Sequence, residues 1–461
     1  MPEGPSGRMR KLGGMDQQEP HHIAPQQSRP PIGAPEPGSG EATASRSRKF
    51  TIGLLWVIYA AHYLCRVNLA AAQKSLAADR GLSKQQLGAL LSLLKVFYGS
   101  GQFINGHLAD RLSPRRLIIL GLTVSGIINL LFAHQEQFAW FAILWAANGY
   151  FQAFGWTSVV RLTANWFPPR LRETASGVLG TSYVMGSGLS WLLAGRLTQS
   201  LGWRYAFWSP AWLCFAVAAL VAVCLRDRPD DAGATPSRPQ ASTGDCEVPP
   251  VLKRPNTRIA LGSLAFANMC LLFGYHGILD WTPHYLAEVG GLGAGVAANR
   301  AFLLPLGGTL GCLALAVIAR RHPGKLGLDR SVVVPLVLLA AMVLVFPTLS
   351  GRAPAAVPAA LLAIGVFSSP PASVMACALP ADLCGAEAAG AAAGLIDASG
   401  YAGSALSGWL SGQVMDRLGA TRGPDAAWSV VWATWAAGVL LAAALIHTIA
   451  GRLRREETDA E

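Results

Sequence analysis

Gly106-His107-Leu108-Ala109-Asp110-Arg111-Leu112-Ser113-Pro114-Arg115-Arg116 is a short, strongly charged stretch set between two long apolar segments, roughly residues 85–105 and 117–133. A tight loop between two membrane spans needs this composition: its arginines stay in water, and its small residues let the two helices approach. On that reading Gly106, Asp110, Arg111, Arg115 and Arg116 form a candidate gating cluster at a cytoplasmic surface.

The alternation of apolar span and polar turn continues in both directions. Hydrophobic residues make up 52% of the chain and charged residues 14%, and the mean hydropathy is +0.36. Such a balance lies outside the range of soluble domains. A span needs about 20 mostly apolar residues, and lipid-exposed irregular backbone is excluded, so helices are the economical solution. Twelve candidates are found, at 51–73, 85–107, 117–133, 138–163, 173–198, 204–225, 259–287, 296–319, 331–350, 355–380, 388–413 and 427–450. The predicted fold class is an all-α polytopic membrane protein with twelve transmembrane helices in two six-helix halves.

The net charge of +11 follows the loops and is no nucleic-acid signal. Arg46, Arg48 and Lys49 precede the first span, Arg170 and Arg172 follow the fourth, Arg320, Arg321 and Lys325 follow the eighth, and Arg452, Arg454 and Arg455 follow the last. Nearly every second connection is basic, which places both termini in the cytoplasm by the positive-inside rule. Residues 1–49, rich in Pro, Gly, Ser and Gln without an apolar run, read as a disordered cytoplasmic tail with no cleaved signal peptide. The halves are 50–225 and 258–450, joined by a polar central loop at 226–257, with a short tail at 451–461. They echo one another: Leu201-Gly202-Trp203 opens the sixth span, and Leu418-Gly419 followed by Ala426-Ala427-Trp428 opens the twelfth. The eight cysteines show no metal or redox spacing and read as packing residues.

The loop at 106–116 resembles the signature G-x-L-A-D-R-x-x-x-R-R that joins helices 2 and 3 in the major facilitator superfamily. Four further segments are similar to the organophosphate:phosphate antiporters, the family of the glycerol-3-phosphate and hexose-phosphate transporters. These are Tyr63-Leu64-Cys65-Arg66-Val67-Asn68; Gln152-Ala153-Phe154-Gly155-Trp156 with Arg161, Trp166 and Phe167; Gly277-Ile278-Leu279-Asp280-Trp281-Thr282-Pro283-His284-Tyr285-Leu286; and Ala388-Ala389-Gly390 with Gly400-Tyr401. In that family an arginine of helix 1 and another of helix 7 hold the substrate phosphate. The resemblance assigns the first role to Arg66. The position of the second is Tyr275, followed by His276; the family histidine of helix 4 is Asn165, and a lysine near the end of helix 2 is Gln102.

The residues support Arg66 independently. A guanidinium at membrane depth is costly, and its planar fork matches phosphate or carboxylate. Tyr59, Tyr63 and Arg66 share one helix face. Two more charges stand inside apolar runs: Lys95, expected to support Arg66 on the anion, and Asp397, expected to take a proton or a substrate amine. With Trp156 and Tyr401, the candidate substrate contacts are Arg66, Tyr63, Lys95, Trp156, Tyr275, His276, Asp397 and Tyr401. No nucleotide-binding loop, nucleophile cluster or metal-ligand spacing is present, so the chain reads neither as an enzyme nor as a cofactor protein. The leading expectation is secondary active transport of a small organic anion by alternating access in the cell's inner membrane, by a monomer, with a coupling proton or counter-anion. The alternative is a membrane receptor of the same fold that senses an organophosphate.

Overall fold

The computed structural model describes residues 39–109, 112–228, 255–321 and 327–460. Asp110 and Arg111 lie outside the described residues, as do most of the N-terminal tail and of the central loop. The chain divides into two compact units, Met1–Ser47 and Arg48–Glu461. In the first, the described residues are helical; everything that follows concerns the second.

The second unit is helical among the described residues, and the first helix includes the described residues of the first unit. In chain order the elements are α1 (Ser39–Leu64), α2 (Asn68–Arg80), α3 (Lys84–Ala109), α4 (Pro114–Phe132), α5 (Phe138–Trp166), α6 (Pro169–Ser200) and α7 (Tyr205–Cys224). Then come α8 (Pro255–Glu288), α9 (Ala294–Ala301), α10 (Leu303–Arg321), α11 (Val334–Arg352), α12 (Val357–Ser373), α13 (Leu379–Arg422) and α14 (Pro424–Ala460). The described part of the stretch read as a tail, residues 39–49, is helical. The polar connection expected around Asp382 and Glu387 is helical too, within α13. Its alanine-rich run carries the strongest helix formers, and no proline interrupts it after Pro380.

Eight stretches of the described residues are long and apolar enough to cross a membrane, against the twelve expected. The long helices outside that set are α3, α5, α6 and α13. All four line the cavity, α3, α6 and α13 with polar residues such as Lys95, Gln102, Ser176, Ser187 and Asp397, and α5 with Trp145 and Trp156. Large apolar side chains such as Trp212, Val223, Ile143 and Leu313 stay exposed on the outside, as lipid-facing residues do.

The echo between the halves has a structural counterpart. Trp203 Nε1 donates to the Asp79 carboxylate at the end of α2 (2.9 Å), and Trp428 Nε1 donates to Glu288 at the end of α8 (2.8 Å). Helix α13 packs closely on α8. A Cβ at Gly403 would overlap the Met269 carbonyl oxygen, so only glycine permits that approach. Asn268 Nδ2 bonds the Ile396 carbonyl (2.8 Å), fixing the register that carries Asp397 and Tyr401.

Candidate functional site

The site is built on an interruption. The first span is broken between α1 and α2 at Cys65, Arg66 and Val67, although the sequence there has neither proline nor glycine. The Arg66 and Val67 amides both donate to the Tyr63 carbonyl, each at 3.2 Å. Carbonyls released by the break must find other donors, because water is scarce at this depth. Cys65 O accepts from Asn148 Nδ2 (2.8 Å) and Asn129 Nδ2 (3.2 Å), and Leu64 O accepts from Ser190 Oγ (3.2 Å). Asn68 Nδ2 bonds Asn129 Oδ1 (2.9 Å) and the Ala206 carbonyl (3.0 Å). Asn68, Asn129 and Asn148 are completely buried. Sequence reading expected one continuous span at 51–73 and did not single out Asn129 or Asn148. Their signal was present all the same: an asparagine inside an apolar span is costly unless hydrogen-bonded.

The break turns Arg66 into a cavity of about 440 Å³. The eight residues singled out above as substrate contacts all line it. The Arg66 guanidinium lies 3.7 Å from the Tyr98 ring centroid and 4.9 Å from that of Tyr63, and its Nη2 donates to the Tyr401 hydroxyl (3.5 Å). Tyr59 packs on Trp156 (4.9 Å) and on Tyr63 (5.5 Å), closing an aromatic wall. Arg66 is only 7% exposed, and no carboxylate forms an ion pair with it among the described residues. The guanidinium is thus buried and held by rings and a phenol, with its charge uncompensated by a carboxylate among the described residues.

Lys95 is placed differently from expectation. Its Nζ forms an ion pair with Asp280 Oδ2 of α8 at 3.0 Å and also contacts His276 Nδ1, one turn earlier on that helix. The residue expected to assist Arg66 is therefore engaged across the cavity, and its partner was read from sequence only as part of a motif. The Tyr275 hydroxyl lies 3.4 Å from Ser369 Oγ of α12. Asp397 lines the cavity half-buried, with no hydrogen bond or ion pair among the described residues. Asn165, at the family histidine's position, faces away and donates to the Asp227 carbonyl (3.0 Å), while Gln102 bonds the Tyr98 hydroxyl (2.9 Å).

Of the gating cluster, the described side chains are Arg115 and Arg116. The Arg115 amide donates to Asp227 Oδ1 (2.9 Å), its guanidinium reaches the Ala222 carbonyl, and the Arg116 amide is capped by Ser113 Oγ (3.3 Å). Gly106 lies in α3.

A second set of contacts, missed from sequence, ties α3 to α8 and α13 where α2 stops and α3 starts. Ser83 and Gln86 form a reciprocal capping box on α3, with Gln86 N–H to Ser83 Oγ (3.1 Å) and Ser83 N–H to Gln86 Oε1 (2.9 Å). The remaining first-turn amides, Lys84 and Gln85, donate to the two oxygens of Asp416 from α13 (3.0 and 2.8 Å). Lys84 Nζ pairs with Glu288 of α8 (2.7 Å). The Asp416 carboxylate thus caps a neighbouring helix on which α13 packs directly, favoured by the helix dipole. Asp416→Ala is expected to speed hydrogen exchange of the Lys84 and Gln85 amides by about tenfold, the equivalent of one cap. Unchanged exchange at those two amides means that Asp416 contributes nothing to this cap.

Comparison with known proteins agrees with this architecture. The family model of the Major Facilitator Superfamily matches residues 55–408. The chain is 29% identical over 382 residues to the glycerol-3-phosphate transporter of Bacillus subtilis (strain 168), covering 79% of this chain and 85% of that protein. It is 27% identical over 386 residues to the membrane sensor protein UhpC of Salmonella typhimurium, covering 80% and 86%. A crystal structure of a bacterial homolog of the human lysosomal transporter Spinster, inward-facing and unoccupied, shares the fold with a TM-score of 0.69 at 16% identity. That likeness covers 88% of this chain and 97% of the other. The all-helical architecture around a central cavity and a family match over most of the length lead to one assignment: the chain belongs to the major facilitator superfamily.

Proposed function

We propose that this multi-pass membrane protein is a secondary active transporter of a small organic anion: an organophosphate, phosphonate or carboxylate. The observation that carries the reading is Arg66, buried in a tyrosine cage, facing a cavity and lacking a carboxylate partner among the described residues. The relative named for glycerol-3-phosphate transport supports phosphate esters as the first compounds to try. In this reading, residues 50–225 and 258–450 are two halves that rock about the central site. The positive-inside pattern puts both termini in the cytoplasm of an inner-membrane protein, so the contacts of Lys84, Glu288 and Asp416 lie on the opposite side. The Asp110–Arg116 loop gates the cytoplasmic side, and a proton or counter-anion drives movement through a monomer.

The second reading, a receptor of the same fold, is favoured by the similarity to a sensor protein at nearly the same identity. Proteoliposomes loaded with phosphate and given labelled glycerol 3-phosphate or a hexose phosphate outside separate the two. Accumulation of label, absent from empty liposomes, is the expected result. Saturable binding without accumulation identifies a receptor, and neither binding nor accumulation overturns the phosphate-ester reading.

A further inference from the structure

Among the described residues, four charged side chains line the cavity: Arg66, Lys95, Asp280 and Asp397. Lys95 and Asp280 neutralise each other at 3.0 Å. Arg66 and Asp397 remain, opposite in sign and each without a counter-ion among the described residues. They form no ion pair with each other: Arg66, in the break between α1 and α2, bonds Tyr401 of α13 instead. The Tyr401 hydroxyl accepts from Arg66 Nη2 (3.5 Å), and Asp397 precedes Tyr401 by one turn on the same face of α13. The cationic and anionic poles of the site therefore stand too far apart for a direct ion pair.

Charge complementarity then selects the ligand. A simple anion on Arg66 compensates the guanidinium and leaves the Asp397 carboxylate uncompensated in the same cavity, where like charges repel. A ligand with an ammonium group a few bonds from its anionic group satisfies both poles at once and leaves the cavity neutral. We propose that the substrate is a zwitterion: a small organic phosphate, phosphonate or carboxylate bearing an amine, with the anionic group on Arg66 and the ammonium on Asp397. This rests on the reading of Arg66 as the anion site and adds the second pole to it.

The test is equilibrium binding to the purified full-length protein with two matched ligand pairs, aminoethyl phosphate against ethyl phosphate and γ-aminobutyrate against butyrate. The phosphate and carboxylate arms separate the two anion chemistries. In at least one pair the amine-bearing member is expected to bind about 30-fold tighter or more, the effect of leaving one member of a desolvated charge pair alone. Asp397→Asn, nearly isosteric, is expected to reduce that ratio to near unity while retaining the anion. Equal binding of both members of each pair by the wild-type protein overturns the proposal without needing any variant. So does a preference that survives in Asp397→Asn. If ethyl phosphate or butyrate binds equally well, needs Arg66, and its uptake loses pH dependence in Asp397→Asn, the carboxylate carries a proton instead; the anion site then stands and the zwitterion falls. Binding that is indifferent to Arg66→Lys removes the anion site and this inference together.

Discussion

Arg66→Lys is expected to weaken binding of a phosphate ester by roughly 10- to 150-fold, the range for losing a hydrogen bond to a charged group. The charge survives this substitution, so the loss isolates geometry. Lysine is a compact, strongly hydrated point charge without a planar fork to engage two anion oxygens. It also lacks the flat face that lies 3.7 Å from the Tyr98 centroid and holds the guanidinium in orientation. Arg66→Ala is expected to lose binding further. Thermal stability should change little in either variant, because side chains other than Arg66 satisfy the broken backbone: Asn129, Asn148 and Ser190 bond the Cys65 and Leu64 carbonyls. The measurement is titration of the purified variants with glycerol 3-phosphate beside their unfolding curves. Binding within threefold of wild type removes Arg66 from the site; a collapse of stability together with binding assigns it a structural role.

Asp280→Ala is expected to lower stability by about 3–5 kcal/mol, because it strands the Lys95 ammonium in a buried position. Side-chain exposure is 6% for Lys95 and 11% for Asp280, so water screens the pair weakly. Lys95→Met strands the carboxylate and should cost a similar amount. Removing both charges, as in Lys95→Met with Asp280→Leu, should return most of the loss, since apolar replacements of a buried pair are often neutral. The cycle is measured by thermal unfolding in detergent, with additivity of the two single effects as the outcome that denies coupling. The pair joins α3 to α8 beside the anion site, so the double variant should fold yet transport slowly, having lost a contact that tells one helix group the position of the other.

Much of the site was legible because membrane depth makes polar residues expensive. Arg66, Lys95 and Asp397 stood out as charges in apolar runs, and all three line one cavity. The tyrosines and His276 came from neighbouring motif positions, and they line it too. What these charges bond to was not legible. Lys95 meets Asp280 and His276 only because α8 passes α3 at that height, and no local pattern encodes a contact between residues so distant in the chain. The cap that Asp416 places on α3 escaped notice for the same reason, since its own sequence neighbourhood reads as an ordinary helix end.

By itself, the sequence determined the helical class, the approximate limits of most long helices and the residues that carry charge into the interior. Hydropathy and the cost of bare backbone in lipid are local properties, readable one segment at a time. Tertiary structure decided where a helix is interrupted. The turn at Cys65, Arg66 and Val67 has no helix breaker, and it persists because asparagines and a serine on three other helices supply the donors its carbonyls require. Packing likewise set α3, α6 and α13 along the cavity, with Lys95, Gln102, Ser176, Ser187 and Asp397 lining it. Those choices depend on which groups meet in space, and that is settled only when all the helices are assembled.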